Sequence, residues 1–237
     1  MLGKALLACG AVAAAVQAAP LATFVPVGKR FAPGLNGRGR DGHVALTFDD
    51  GPDAQSTPRF LDALAALDVR ATFFLLGEMC LRYPDVARRI VDEGHEVAVH
   101  SWDHRNHLRN LPGRRTADQL ARTADLIELQ TGVRPAYFRP PYGALTTADL
   151  VVARQLGLRT VLWTAWGQDW QRGLAPSDVV DEVLRGDLDG GTVLLHDSDC
   201  TSEPGSWRAT LGALPTLVER LRGQGLEVGT VGDHGLR

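Results

Sequence analysis

The 237-residue sequence predicts an α/β protein, a distorted (β/α) barrel with about seven parallel strands. Three observations carry this. Short apolar runs alternate with segments of helical periodicity along the chain, the pattern of a parallel sheet covered by helices. Residues suited to chemistry, namely Asp49, His100, Arg139, Asp169 and His196, stand at or just after the C-terminal ends of those runs. That face carries the active site in α/β barrels. The length also fits one such unit.

In chain order, Val44–Phe48 is an apolar strand that ends in the adjacent carboxylates Asp49 and Asp50, followed by a Gly-Pro turn. Neighbouring strand residues point to opposite sides, so the two acids are expected to play different parts. They also need a compensating charge, or one of them must take a proton. A helix follows over 57–67, with Phe60, Leu61, Leu64 and Leu67 on one face, Thr57 as N-cap and Pro58 in the first turn. The second strand is 71–76. A helix through Val86, Ile90 and Val91 then stops at Gly94, and the third strand, 95–100, delivers His100. Next come a helix over 116–130, a short strand at Tyr137-Phe138, a helix over 147–156 and a strand over 159–163. The chain closes with a helix over 177–184, a strand over 192–196, a helix over 210–222 and a short apolar end at 226–229.

Upstream of this domain, residues 1–27 form an apolar leader and 28–42 a glycine-rich, flexible connector, so the folded domain is expected over 43–237. Lys4 before an alanine-rich run, with Ala18 and Ala19 beyond it, has the form of an export signal. An extracytoplasmic protein, secreted or membrane-anchored, is therefore expected. Lys29, Arg30, Arg38 and Arg40 after the run favour the opposite orientation if the segment stays in a membrane. Composition excludes other classes. A formal net charge of −3 gives no basic signal for nucleic acid. The three cysteines form no CxxC pair, and a Cys80–Cys200 bridge is the minor expectation beside two separate thiols.

His100 and His104 are four residues apart, close enough for one ion if the segment turns helically. With a carboxylate from another strand end they form a two-His, one-carboxylate set, and catalytic zinc commonly has three protein ligands and a water. His107 is read as a surface residue. Each motif also has a plainer reading: His196 as a buried strand-end histidine, Arg139 as a structural ion-pair partner, and Trp170 and Leu194 as core. For Leu194, core and pocket wall are compatible.

Thr47-Phe48-Asp49-Asp50-Gly51, His100-Ser101-Trp102-Asp103-His104, Arg139-Pro140-Pro141-Tyr142-Gly143, Asp169-Trp170 and Leu194-Leu195-His196-Asp197 together resemble the five ordered motifs of the polysaccharide deacetylases. This is the NodB homology domain, carbohydrate esterase family 4. The resemblance runs from about residue 43 to the end. It implies a divalent ion held by Asp50, His100 and His104, zinc by expectation, with cobalt or another transition metal as alternatives. It further implies Asp49 as general base, His196 as general acid, Arg139 holding Asp49, Asp169 orienting His196, and the Tyr142 backbone N–H as oxyanion donor. Trp170 and Leu194 would meet the substrate. The implied reaction removes N-acetyl groups from amino sugars of a glycan of the chitin-oligomer or peptidoglycan type, releasing acetate. The rival readings are an O-acetyl esterase and a carbohydrate-binding barrel that has lost catalysis. Two positions depart from the family pattern: the fourth motif reads Trp166-Gly167-Gln168-Asp169-Trp170, so the first acid of Asp-x-x-Asp-Trp is replaced, and Arg105 follows His104 where proline is frequent.

Overall fold

The computed structural model describes residues 35–109 and 114–237; the leader lies outside them. Strand β1 (His43–Asp49) is buried at every position, as expected of a strand covered on both faces. It pairs in parallel with β2 (Thr72–Leu75) on one side and β7 (Thr192–His196) on the other. The sheet continues through β3 (Glu96–Val99), β4 (Tyr137–Phe138) and β5 (Arg159–Thr160) at one end and β6 (Ala165–Trp166) at the other. Its order is β5-β4-β3-β2-β1-β7-β6, and β8 (Glu227–Gly229) pairs with the start of β1. All these pairings are parallel. Seven strands thus curl into a half-barrel. The register sets Asp49 opposite both Phe74 and His196, so the strand ends that carry chemistry lie level.

Among the described residues the helices are α1 (Thr57–Ala66), α2 (Gly77–Arg82), α3 (Pro84–Asp92), α4 (Arg114–Thr131), α5 (Thr147–Gln155), α6 (Pro176–Leu184) and α7 (Trp207–Gly223). Between them and the sheet lies the main core, built on Phe48, Phe60, Phe73, Leu75, Ile90 and Leu195. A smaller cluster of Ala45, Phe74, Ala98, Val161 and Val231 fills the other side of the sheet. None of these helices is long and apolar enough to cross a membrane.

Several expectations change in the folded chain. The strand expected over 159–163 is only Arg159–Thr160: β5 pairs with β4, and a second short strand beyond that range, β6, pairs with β7 across the opening of the barrel. The cause is Arg139, whose Nε and Nη2 donate to the carbonyls of Val161 (3.2 Å) and Leu162 (3.1 Å) between them. Residues 35–42 do not behave as a flexible connector. Asn36 is buried, Leu162 N–H donates to the Leu35 carbonyl (2.8 Å), and Thr192 donates to the Gly37 carbonyl (2.7 Å). Thr57 does not cap α1. Ser56 holds that position, and the Thr57 hydroxyl is drawn to Asp197 instead. Cys80 and Cys200 are both free thiols.

Candidate metal centre and catalytic cavity

Asp49 and Asp50 diverge, though not through strand alternation. The strand ends at Asp49, and Asp50 turns into the left-handed region at φ 77°. Asp49 Oδ1 accepts from Arg139 Nη1 at 2.6 Å, and the same nitrogen donates to Thr47 Oγ1 at 2.9 Å. Arg139 is wholly buried, and its guanidinium lies 4.0 Å over the Phe74 ring. Arg139 therefore supplies the charge that the buried Asp49 needs, and it also ties the barrel opening together.

Asp50 Oδ1 lies 3.4 Å from the Nε2 atoms of both His100 and His104. One donor atom from each of the three falls within 4.8 Å of the others. Asp50 Oδ1 and His104 Nδ1 are buried without a hydrogen-bond partner, while the other carboxylate oxygen accepts from the Thr201 hydroxyl. His100 Nδ1 donates to the Arg139 carbonyl at 2.8 Å, which fixes Nε2 as its bare, ligating nitrogen. Burial lowers the His104 pKa to about 4, against the pull of Asp50, so its imidazole is neutral as a ligand must be. For Asp50, burial pushes the carboxyl up, but His104, His196, His100 and the Thr201 hydroxyl outweigh it and hold it below the ordinary value. An orphaned buried oxygen facing the Nε2 atoms of two imidazoles is a donor set that fits a divalent cation.

The two histidines do not meet through a helical turn. Ser101 (φ 79°) and His104 (φ 54°) are both left-handed, and the loop between them is pinned from outside. Gly77 and Glu78 N–H groups at the start of α2 donate to the carbonyls of Ser101 (3.1 Å) and Trp102 (3.0 Å). Thr123 Oγ1 donates to the Ser101 carbonyl at 3.0 Å. His107, expected on the surface, is fully buried. Its Nδ1 donates to Asp149 at 2.6 Å, and its Nε2 bonds the Ser101 hydroxyl at 2.9 Å. Two partners, one of them a carboxyl group, offset its loss of water. Asp149 also forms the capping box of α5 with Thr146.

On the other side of Asp49, His196 Nδ1 donates to Asp169 Oδ1 at 2.8 Å. Asp169 Oδ2 accepts from the His196 backbone N–H (2.8 Å) and Thr210 Oγ1 (2.7 Å). Burial alone would lower the His196 pKa; Asp169, with Asp50 and Asp49, overrides it and raises it to about 10. His196 therefore carries a proton at neutral pH.

A cavity of about 230 Å³ brings Asp49, Asp50, His100, His104, Tyr142, Trp170, Leu194 and His196 together. Arg139 and Asp169 stand behind it, buried. Leu194 is at once core and wall, at 4 % exposure. Tyr142 follows Pro141 in a left-handed conformation (φ 59°, ψ 10°), a strained geometry that clusters at functional sites. Thr201, Ser202, Trp163 and Trp166 also line the cavity, and of the aromatic residues near the loops the sequence favoured only Trp170. The polar stretch after His196 was the signal for the first two. The tryptophans Trp163, Trp166 and Trp170 pack in series (centroids 6.0 and 5.2 Å), and Trp170 meets His196 edge-on at 5.9 Å.

Fold and site define a curled parallel α/β barrel with a candidate Asp-His-His metal centre at its strand C-terminal ends. Residues 36–161 match the profile of the polysaccharide deacetylases, and the chain belongs to that family. It is 38 % identical over 188 residues to the peptidoglycan-N-acetylglucosamine deacetylase PgdA of Listeria monocytogenes, matching 79 % of this chain and 38 % of that protein. The chain thus spans about two-fifths of that relative's length. It is 34 % identical over 193 residues to a chitooligosaccharide deacetylase of Azorhizobium caulinodans (77 % of this chain, 89 % of the relative). Among solved structures, the Bc1960 peptidoglycan N-acetylglucosamine deacetylase superposes with a TM-score of 0.80 at 29 % identity, covering 90 % of this chain and 97 % of that one.

Proposed function

We propose that the protein is a metal-dependent N-deacetylase that hydrolyses the acetamide of an amino sugar within a glycan to a free amine and acetate. The observation that carries this reading is the pairing across one cavity of Asp49, buried and held by Arg139, with His196, backed by Asp169. Asp50, His100 and His104 line the same cavity. An acetamide is slow to hydrolyse because water is a weak nucleophile and an amine departs only when protonated. Asp50, His100 and His104 would hold a divalent ion, which would supply the Lewis acidity to acidify a water and polarise the carbonyl. Asp49, left outside the ligand set, takes the proton of the attacking water as general base, and Arg139 holds and aims it through a charge-assisted hydrogen bond. The Tyr142 backbone N–H donates to the oxyanion. As the C–N bond breaks, His196 gives its proton to the nitrogen, and Asp169 holds the imidazole for that transfer. Trp163, Trp166 and Trp170 offer faces to the sugar rings, and Leu194 packs on the acetyl methyl.

Zinc is the ion proposed, on the strength of one carboxylate and two imidazoles. The leader supports a place outside the cytoplasm; labelling of intact cells with an impermeant reagent tests that, and protection from it would refute it. For the reaction, acetate release from N-acetylated glycan oligomers should require zinc or cobalt and stop on chelation. Asp49→Asn should lower kcat by about 10²–10⁴-fold while metal binding persists; full activity in that variant would refute the assigned base. An O-acetyl ester is the rival substrate, and His196→Ala separates the two. Its loss should be much larger on an amide than on an ester, because an alkoxide departs more easily than an unprotonated amine.

A further inference from the structure

A second cleft, of about 660 Å³, adjoins the catalytic cavity and shares His104 and Tyr142 with it. Its other charged lining is Asp103, Arg105, Arg109 and Arg115, three guanidinium groups against one carboxylate. That carboxylate is already committed. Asp103 Oδ2 lies 2.9 Å from Arg105 Nε and 3.9 Å from Arg115 Nη2, and Oδ1 accepts from Gln119 Nε2 at 2.8 Å. Arg109 pairs with no carboxylate among the described residues. Arg105 and Arg115 are 60 % and 53 % exposed, so their free nitrogens face the cleft and solvent. Arg105 moreover stands where the family resemblance leads one to expect proline.

A glycan is a linear polymer, so when one sugar presents its acetamide to the metal centre the next must leave over the rim. The rim formed by His104 and Tyr142 opens onto a cationic surface. A neutral amino-sugar oligomer offers such a surface hydroxyl and carbonyl acceptors but no opposite charge. A carboxylate matches the planar guanidinium fork in shape and charge and can accept two parallel bonds from it. We infer that this cleft is a subsite for a carboxylate carried on the sugar adjoining the one deacetylated, with Arg105 and Arg109 as its specificity-determining residues. The favoured substrate class is then an acidic N-acetylated glycan, as in strands containing muramic acid, rather than a neutral chitin-type oligomer. This deepens the N-deacetylase reading and rests on it.

The test compares three substrates of equal length with the zinc-loaded protein: neutral N-acetylglucosamine oligomers, oligomers alternating with N-acetylmuramic acid, and the latter with its carboxyl groups methyl-esterified. The acidic substrate should exceed both others in kcat/KM by about tenfold, the scale of one exposed charge-assisted contact. The advantage should shrink at high salt, as exposed charges are screened. It should fall in Arg109→Gln, which leaves the Arg105–Asp103 pair intact, and approach 1 in Arg105→Gln/Arg109→Gln. An acid-to-ester ratio near 1 in the wild type, or a ratio that survives the double variant, overturns the subsite. If no substrate releases acetate, the deacetylase reading fails, and calorimetric binding then judges the subsite. Tighter binding of acid than ester, lost in the double variant, supports it; equal binding overturns it.

Discussion

Asp169 accepts three hydrogen bonds, two of them from His196, and so fixes both the place and the charge of the imidazole. The sign of its effect follows from the competing influences on His196. Burial favours the neutral ring, and the carboxylate reverses this, keeping the proton until pH approaches about 10. In Asp169→Asn the reversal weakens, and the proton is lost at a lower pH. We expect the alkaline limb of the kcat/KM profile to move down by at least one unit, with a loss of about 10²-fold at pH 8. An unmoved limb would show that another group supplies the proton. At this scale the sequence was informative where function requires a residue type at a strand end: Asp49, Asp50, His100, Arg139 and His196 are legible because the chain reverses direction there. It was mute where partners are set by tertiary approach. The spacing of His107 carries no trace of its burial, because its bond comes from Asp149, 42 residues on. Thr201 reaches Asp50 across 151 residues, and no local pattern encodes that.

Between residue and fold, the element that matters most is the loop carrying His100 and His104, and its support comes from α2. Gly77 opens that helix directly beneath the loop. A Cβ there would meet Trp102 Cε3 at 2.3 Å and Thr123 Oγ1 at 2.7 Å, and both groups help fix the loop. Trp102 is itself clamped by the Arg122 guanidinium, 3.5 Å over its ring, so it has little room to yield. Gly77→Ala should therefore cost about 1–3 kcal/mol in denaturant unfolding, as overpacking does. It should also weaken zinc binding by about 10–100-fold, the usual effect of disturbing groups that orient ligands. Unchanged affinity in a competition titration would show that α2 does not set the ligand geometry. The same scale shows which elements a sequence can reveal. Strands β1, β2 and β7 are continuous apolar runs with covered faces, and α1 and α4 have helical periodicity over several turns. The short α2 and the split between β5 and β6 have no such signature. The split is imposed by a buried arginine 22 and 23 residues away, which takes the carbonyls of Val161 and Leu162.

At the scale of the whole molecule, the barrel is open between β5 and β6, and the ends of the described chain cover its lower side. Gly37 and Gly39 lie against Thr192 and His234, so closely that a Cβ on Gly39 would fall 2.3 Å from the His234 carbonyl oxygen. The hub of this closure is a pair of fully buried histidines, His43 at the start of β1 and His234 in the C-terminal segment. Their tautomers follow from their partners. His234 Nε2 donates to the Gly37 carbonyl at 3.1 Å, so its Nδ1 is bare and accepts from His43 Nδ1 at 2.9 Å. That leaves His43 Nε2 without a proton and, in this structure, without a partner. A second proton would place an unpaired charge in the interior. Burial, then His234 and Arg40, therefore lower the His43 pKa to about 4, against the opposing pull of Glu227 and Asp233. His95, buried behind β2 with Nδ1 accepting from the Ala71 N–H at 3.2 Å, is likewise lowered to about 4. The unfolded chain binds these protons near the ordinary imidazole value of about 6.5, and the folded chain refuses them until about pH 4. Stability is thus fully present above about 6.5 and falls as the pH drops through that window, by up to about 1.4 kcal/mol per pH unit for each histidine. Urea unfolding of the metal-free protein between pH 7 and pH 4.5 measures the slope. In His43→Asn, where the amide still donates to His234 Nδ1 but cannot titrate, one proton's share of that slope should vanish; an unchanged slope would place the acid sensitivity elsewhere.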